Sequence, residues 1–113
     1  MSKAMQEPTF LILTALAAQP QHGYGIMSDV EKTSAGRVIL RPGTLYAALD
    51  RLQGEELIEP DREEVVEGRL RRYYRITGAG AERLAAEIER LRSNADAAAR
   101  RLPGLARIAR GPA

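Results

Sequence analysis

The sequence predicts a mainly α-helical domain with one small β-hairpin, closed by a long helix toward its C-terminal side. Three observations predict it. Apolar residues recur at spacings of three and four along most of the 113 residues, the period of amphipathic helices. Residues 58–76 break that rhythm, with β-favouring Val65, Val66, Tyr73 and Tyr74 on either side of Glu67-Gly68. Leu84, Ile88, Leu91, Ala95, Ala98 and Leu102 then alternate spacings of four and three, the rhythm of a coiled-coil seam.

Each element has its own signals. Pro8 suits the first turn of a helix, and Phe10, Leu13, Leu16 and Ala17 follow at helical spacing. Leu11 and Ile12 make this helix apolar around much of its girth, and it ends near Ala18, ahead of Pro20. His22-Gly23-Tyr24-Gly25 begins a second helix with Ile26, Met27 and Val30 inward, ended by Ser34-Ala35-Gly36. Arg37-Val38-Ile39-Leu40 has the length of a small β bridge. Pro42 opens a third helix whose inner face is Leu45, Leu49 and Leu52, leaving Gly43, Ala47, Asp50 and Gly54 opposite. Ile58–Val66 and Arg69–Ile76 read as two strands, and Pro60 marks the first as an edge or a late start. Thr77 is a good N-cap for a last helix running to about Arg101. At about 1.5 Å per residue it spans roughly 36 Å, more than so small a core covers.

Composition excludes several classes. There is no cysteine, and the single histidine, His22, offers no cluster for a metal. It reads as a capping or surface residue. Glu63 and Glu64 are neighbours on a strand and point to opposite faces, so they are not a catalytic pair. With no nucleophile–base set and no phosphate-cradling loop, an enzyme is not expected, nor a cofactor. No signal peptide or membrane helix is expected either, and the expected compartment is the cytoplasm. The net charge of +2 conceals local blocks. Residues 55–67 hold seven acids against Arg62, whereas Arg69, Arg71, Arg72 and Arg75 follow with no acid, and Arg100, Arg101, Arg107 and Arg110 end the chain.

The element order is that of a winged helix–turn–helix: the third helix suits a DNA major groove, and the hairpin touches flanking phosphates. The residues carry a more particular likeness. His22-Gly23-Tyr24-Gly25-Ile26, Pro42-Gly43-Thr44-Leu45-Tyr46 with Leu49 and Arg51-Leu52, Leu57-Ile58, and Gly68 through Thr77 with Gly80 stand in order. By these pieces, residues 8–92 resemble the PadR family of bacterial transcriptional regulators, in its short form with one C-terminal helix. The resemblance implies a homodimer built from the first and last helices, binding a palindromic operator in double-stranded DNA, usually as a repressor. Some short members bind flat aromatic drugs between subunits through tryptophan; this chain has no Trp and one Phe, which leaves any small-molecule effector unidentified.

The expected organisation is a winged helix–turn–helix unit over residues 1–77, a dimerisation helix over 78–102 and a flexible basic tail over 103–113. The expected DNA contacts are Tyr24, Pro42, Gly43, Thr44, Tyr46, Arg51, Arg69, Arg71 and Arg72. Tyr46 has a second reading, packing beside Leu49. Arg75, deeper in its strand, is set aside as a partner for the acidic strand opposite. The expected dimer interface is Phe10, Leu13, Leu16, Leu84, Ile88, Leu91 and Ala95. Near-neutral total charge and Asp50, which would repel phosphate, support one alternative: a winged-helix protein-interaction module without DNA binding.

Overall fold

The computed structural model describes residues 4–104. Four helices enclose a three-stranded antiparallel sheet: α1 (Glu7–Ala18), β1 (Gln21–His22), α2 (Gly23–Thr33), α3 (Pro42–Gly54), β2 (Ile58–Val66), β3 (Arg69–Ile76) and α4 (Gly78–Arg101). The strand order is β1-β3-β2, so β2 is an edge, as Pro60 requires, and the ladder is irregular between Pro60 and Glu63. Glu67 and Gly68 both take positive φ, 53° and 77°, the backbone of a two-residue hairpin turn that follows the twist of the strands.

One expectation is corrected here. The small strand is Gln21–His22 rather than residues 37–40. β3 has a free edge beside the start of α2, and Gln21 and His22 pair there with Tyr74 and Tyr73. The Gln21 side chain secures them: its amide donates to the Ala15 carbonyl and to Asp29 Oδ2, each at 2.9 Å. Residues 37–40 instead fold back on Ser34, whose buried hydroxyl accepts from the Val38 N–H at 3.0 Å.

The core gathers the inner faces of all four helices. Ile12, Leu13 and Leu16 of α1 meet Ile26 and Val30 of α2, Leu45, Leu49 and Leu52 of α3, Ile58 of β2 and Leu84 of α4. Burying each such side chain contributes about 1.5–3 kcal/mol. The Leu57 carbonyl accepts from the Thr77 N–H, and the Thr77 hydroxyl caps α4 by accepting from the Gly80 N–H at 3.0 Å. A Cβ at Gly80 would overlap the Leu57 carbonyl, so only glycine lets α4 start this close to the sheet.

Past Ile88, α4 leaves the core. Leu91 is 42% and Leu102 53% exposed, and Ala95 and Ala98 are exposed between them. Burial divides the residues expected at the dimer interface. Leu13, Leu16 and Leu84 are buried in the chain's own core, and Phe10 and Ile88 pack half-buried against it. α1 is buried around most of its circumference, so its apolar surplus is absorbed inside the subunit. Leu91 and Ala95 are the members of that set left exposed. Of the expected tail, residues 105–113, with Arg107 and Arg110, lie outside the described residues.

Candidate nucleic-acid interface

The first turn of α3 is fixed from behind and bare in front. Pro42 presets its backbone, the Arg41 carbonyl accepts from the Leu45 N–H at 2.9 Å, and Leu45 is fully buried. Pro42, Gly43 and Thr44 face outward, exposed, and among the described residues nothing beyond the helix's own backbone and the adjoining residues lies within 4 Å of where a Gly43 Cβ would sit. Gly43 is therefore not a packing requirement of the fold. It leaves backbone uncovered on a helix face that also carries Ala47 and Asp50, both exposed.

Tyr46 leaves α3 on the flank toward α2. It is 48% exposed, and its phenol overhangs Gly23 at the start of α2 rather than entering the core with Leu49. Tyr24 is 74% exposed one residue further on. The two tyrosines thus frame the junction between the starts of α2 and α3. Tyr74 lies near Tyr46, and burial pushes its hydroxyl above the ordinary tyrosine pKa.

On the wing, acids and arginines largely neutralise one another. Arg75 pairs with Glu59 at 2.5 Å and with Asp61 at 3.2 Å, the role expected of it. Arg72 pairs with Glu63 at 3.1 Å across the strands. Arg62 lies 3.9 Å over the Tyr73 ring and donates to Glu64 at 2.9 Å, and the Tyr73 hydroxyl donates to the same carboxylate. The Arg62 hydrogen bond, helped by Tyr73, holds Glu64 below the usual carboxylate range. His22 packs against Tyr73 with ring centroids 5.1 Å apart and the planes tilted by 58°. Its burial, then the nearby Arg71 guanidinium, hold its imidazole below the ordinary histidine pKa, against the opposing pull of Glu64. Arg69 and Arg71 have no ion-pair partner among the described residues and flank the hairpin turn.

Arg51, expected among the DNA contacts, makes two contacts within the chain. Its guanidinium reaches back to α1, donating to the buried Thr9 hydroxyl at 2.7 Å, and pairs with Glu55 at 3.5 Å. It ties α3 to α1. Two residues were not singled out from the sequence. Gln21 anchors β1, and Arg41 stands exposed immediately ahead of α3. For Arg41 the signal was its place directly before Pro42.

The structure thus shows an exposed face on α3, two exposed tyrosines at the α2/α3 junction and a wing whose Arg69 and Arg71 have no ion-pair partner among the described residues. The sequence pattern of the transcriptional regulator PadR-like family matches residues 12–86, which spans all of these parts. The chain belongs to the PadR family.

Solved structures share the winged-helix architecture. The PadR-like transcriptional regulator from Bacillus cereus is 27% identical with a TM-score of 0.69, over 85% of this chain and 91% of that one. A PadR family regulator from Clostridium difficile is 24% identical with a TM-score of 0.69, over 81% of this chain and 94% of that one, a likeness of fold. Among curated relatives, an uncharacterised 37.1 kDa protein in transposon TN4556 of Streptomyces fradiae is 44% identical over 77 residues, 68% of this chain. Protein X of Lysinibacillus sphaericus, also uncharacterised, is 33% identical over 70 residues, 62% of this chain. The matches span 21% of the first protein and 64% of the second. In this PadR-like chain, no group of His, Cys, Asp and Glu suited to a metal occurs among the described residues. None of its described helices is long and apolar enough to cross a membrane.

Proposed function

We propose that this PadR-like chain is a cytoplasmic homodimeric repressor that reads a palindromic operator through α3 and grips the flanking backbone through its wing. The observation that carries this reading is the pairing of an uncovered α3 face with unpaired arginines at the wing tip. A helix face free of bulk enters a major groove closely, and Arg69 and Arg71 offer charge to phosphates without first breaking an ion pair. Arg72 joins them at small cost, because its bond to Glu63 is solvent-exposed and such pairs contribute about 0–1 kcal/mol. The uncovered end of α4 supports dimerisation, through Leu91, Ala95, Ala98 and Leu102. A small-molecule effector that releases the operator completes the reading.

The test is a gel shift on the DNA upstream of the chain's own gene at two salt concentrations. A shift that resists excess unrelated DNA and weakens steeply with salt is the expected result. A chain that binds no DNA at low salt would instead be a protein-interaction module.

A further inference from the structure

Within α3 the single cation is Arg51, and it is tied back to Thr9 and Glu55. The outward side chains of the helix then offer little to a guanine edge. Pro42, Gly43 and Ala47 carry no donor, and Asp50 is an acceptor with the wrong charge for O6 and N7. Thr44 and Tyr46 have one hydroxyl each, and the exposed amide of Gln53 lies at the far end of the helix. A helix this bare approaches the groove floor closely but brings few hydrogen bonds of its own.

Arg41 is placed to add such donors. It is exposed, has no carboxylate within ion-pair distance among the described residues, and is the N-cap residue of α3. Its main chain is held rigidly. Leu40 is buried behind it, Pro42 fixes the next turn, and its carbonyl accepts from the Leu45 N–H. A long side chain leaving a fixed base at the mouth of the helix reaches base edges beside the first turn. Its planar fork matches guanine, with two N–H groups donating to O6 and N7.

We propose that Arg41 reads a guanine in each half-site, making it the specificity-determining cation of the interface; this rests on the DNA-binding reading above. The experiment selects binding sequences from a pool of randomised duplexes with the full chain, then with Arg41→Ala and Arg41→Lys. The wild type is expected to enrich a two-fold motif holding one strongly preferred guanine per half-site. Arg41→Ala should lose discrimination at that position by about 10- to 100-fold while keeping the rest of the motif. Arg41→Lys, which keeps the charge but not the fork, should recover only part of it. Equal weakening on every sequence, with a salt slope lower by about one, would make Arg41 a phosphate contact and overturn the proposal. An unchanged motif in Arg41→Ala overturns it as well. A wild type that enriches no sequence overturns the DNA-binding reading itself, and this inference with it.

Discussion

The phenolic oxygen of Tyr46 overhangs Gly23 so closely that a Cβ there would stand inside 3.0 Å of it. Glycine at the start of α2 is thus what lets the α3 tyrosine lie across the junction. The neighbour is the far end of a half-exposed side chain, which can swing away. Gly23→Ala should therefore cost little stability while displacing Tyr46, and operator discrimination should fall as it does in Tyr46→Ala. Gly80 is the opposite case, because a Cβ there meets the Leu57 backbone carbonyl. Gly80→Ala should destabilise by about 3 kcal/mol or more, the upper end for overpacking a rigid site. Thermal melts beside gel shifts separate the two. If Gly23→Ala keeps full discrimination, Tyr46 does not touch DNA.

Gly43 makes a sharper separation. It sits in the first turn of α3 with open space around it, so alanine fits and should stabilise the helix by about 0.5–1 kcal/mol. The same methyl group stands on the face offered to the groove. Gly43→Ala is expected to raise Tm and lower operator affinity. A variant that is more stable and binds as well as the wild type would move the DNA contact off this face.

Much of the fold that positions these residues was legible in the sequence. Pro42 and the Leu45, Leu49, Leu52 spacing placed α3, and the hairpin bounds fell where Glu67-Gly68 and the β-favouring runs put them. β1 was not legible, since two residues have no period and its cause is the free edge of β3, more than fifty residues further along the chain, rather than local propensity. Arg51 shares a helix flank with Thr44, and only the placement of Thr9 on α1 shows which partner takes it. Likewise Leu13 and Leu16 are apolar on every reading. The sequence does not say whether an apolar flank faces its own core or a second subunit, and the packing of α2, α3 and α4 around α1 decides it.

The wing arginines should divide into two kinds. Arg69→Ala and Arg71→Ala should each weaken binding to all sequences alike and lower the slope of log affinity against log salt by about one. Arg72→Ala should lower it less, because Glu63 competes with phosphate for that guanidinium. Glu63→Gln should then tighten non-specific binding. Titrating each variant on random-sequence DNA across salt concentrations checks this, and equal slopes for all three arginine variants would remove the distinction.

Glu87 gives the stability a pH dependence. It is buried on α4 and hydrogen-bonded to Arg90, which holds its carboxyl below the usual range, with the Met5 N–H assisting. A carboxyl with a depressed folded pKa stabilises the fold above its unfolded value of about 4.5, and that contribution is lost as pH falls through the folded pKa. Glu87→Gln should lower Tm at neutral pH, and the gap from the wild type should close as the pH is taken below the carboxylate range. A gap that stays constant from pH 7 to about pH 3 would mean the charge of Glu87 is not what stabilises this contact.

Dimerisation is tested most cleanly at Leu91. Ile88 lies on the same seam but packs half-buried against the chain's own core, so a charge there damages the fold and the interface together. Leu91 is 42% exposed, one turn further along α4, where the helix has left the domain. Leu91→Asp should leave the melt of the winged unit nearly intact while placing a charge in the seam of a two-helix contact, where nothing pairs with it. A single α3 reads only a few base pairs, and two joined modules gain affinity because the second binds as an intramolecular event. The variant is expected to sediment as a monomer at micromolar concentration and to bind the full operator about 100-fold more weakly or worse. On an isolated half-site it should bind as the wild type does, since α3 and the wing are untouched. A Leu91→Asp chain that remains dimeric would place the subunit contact elsewhere than on the exposed end of α4.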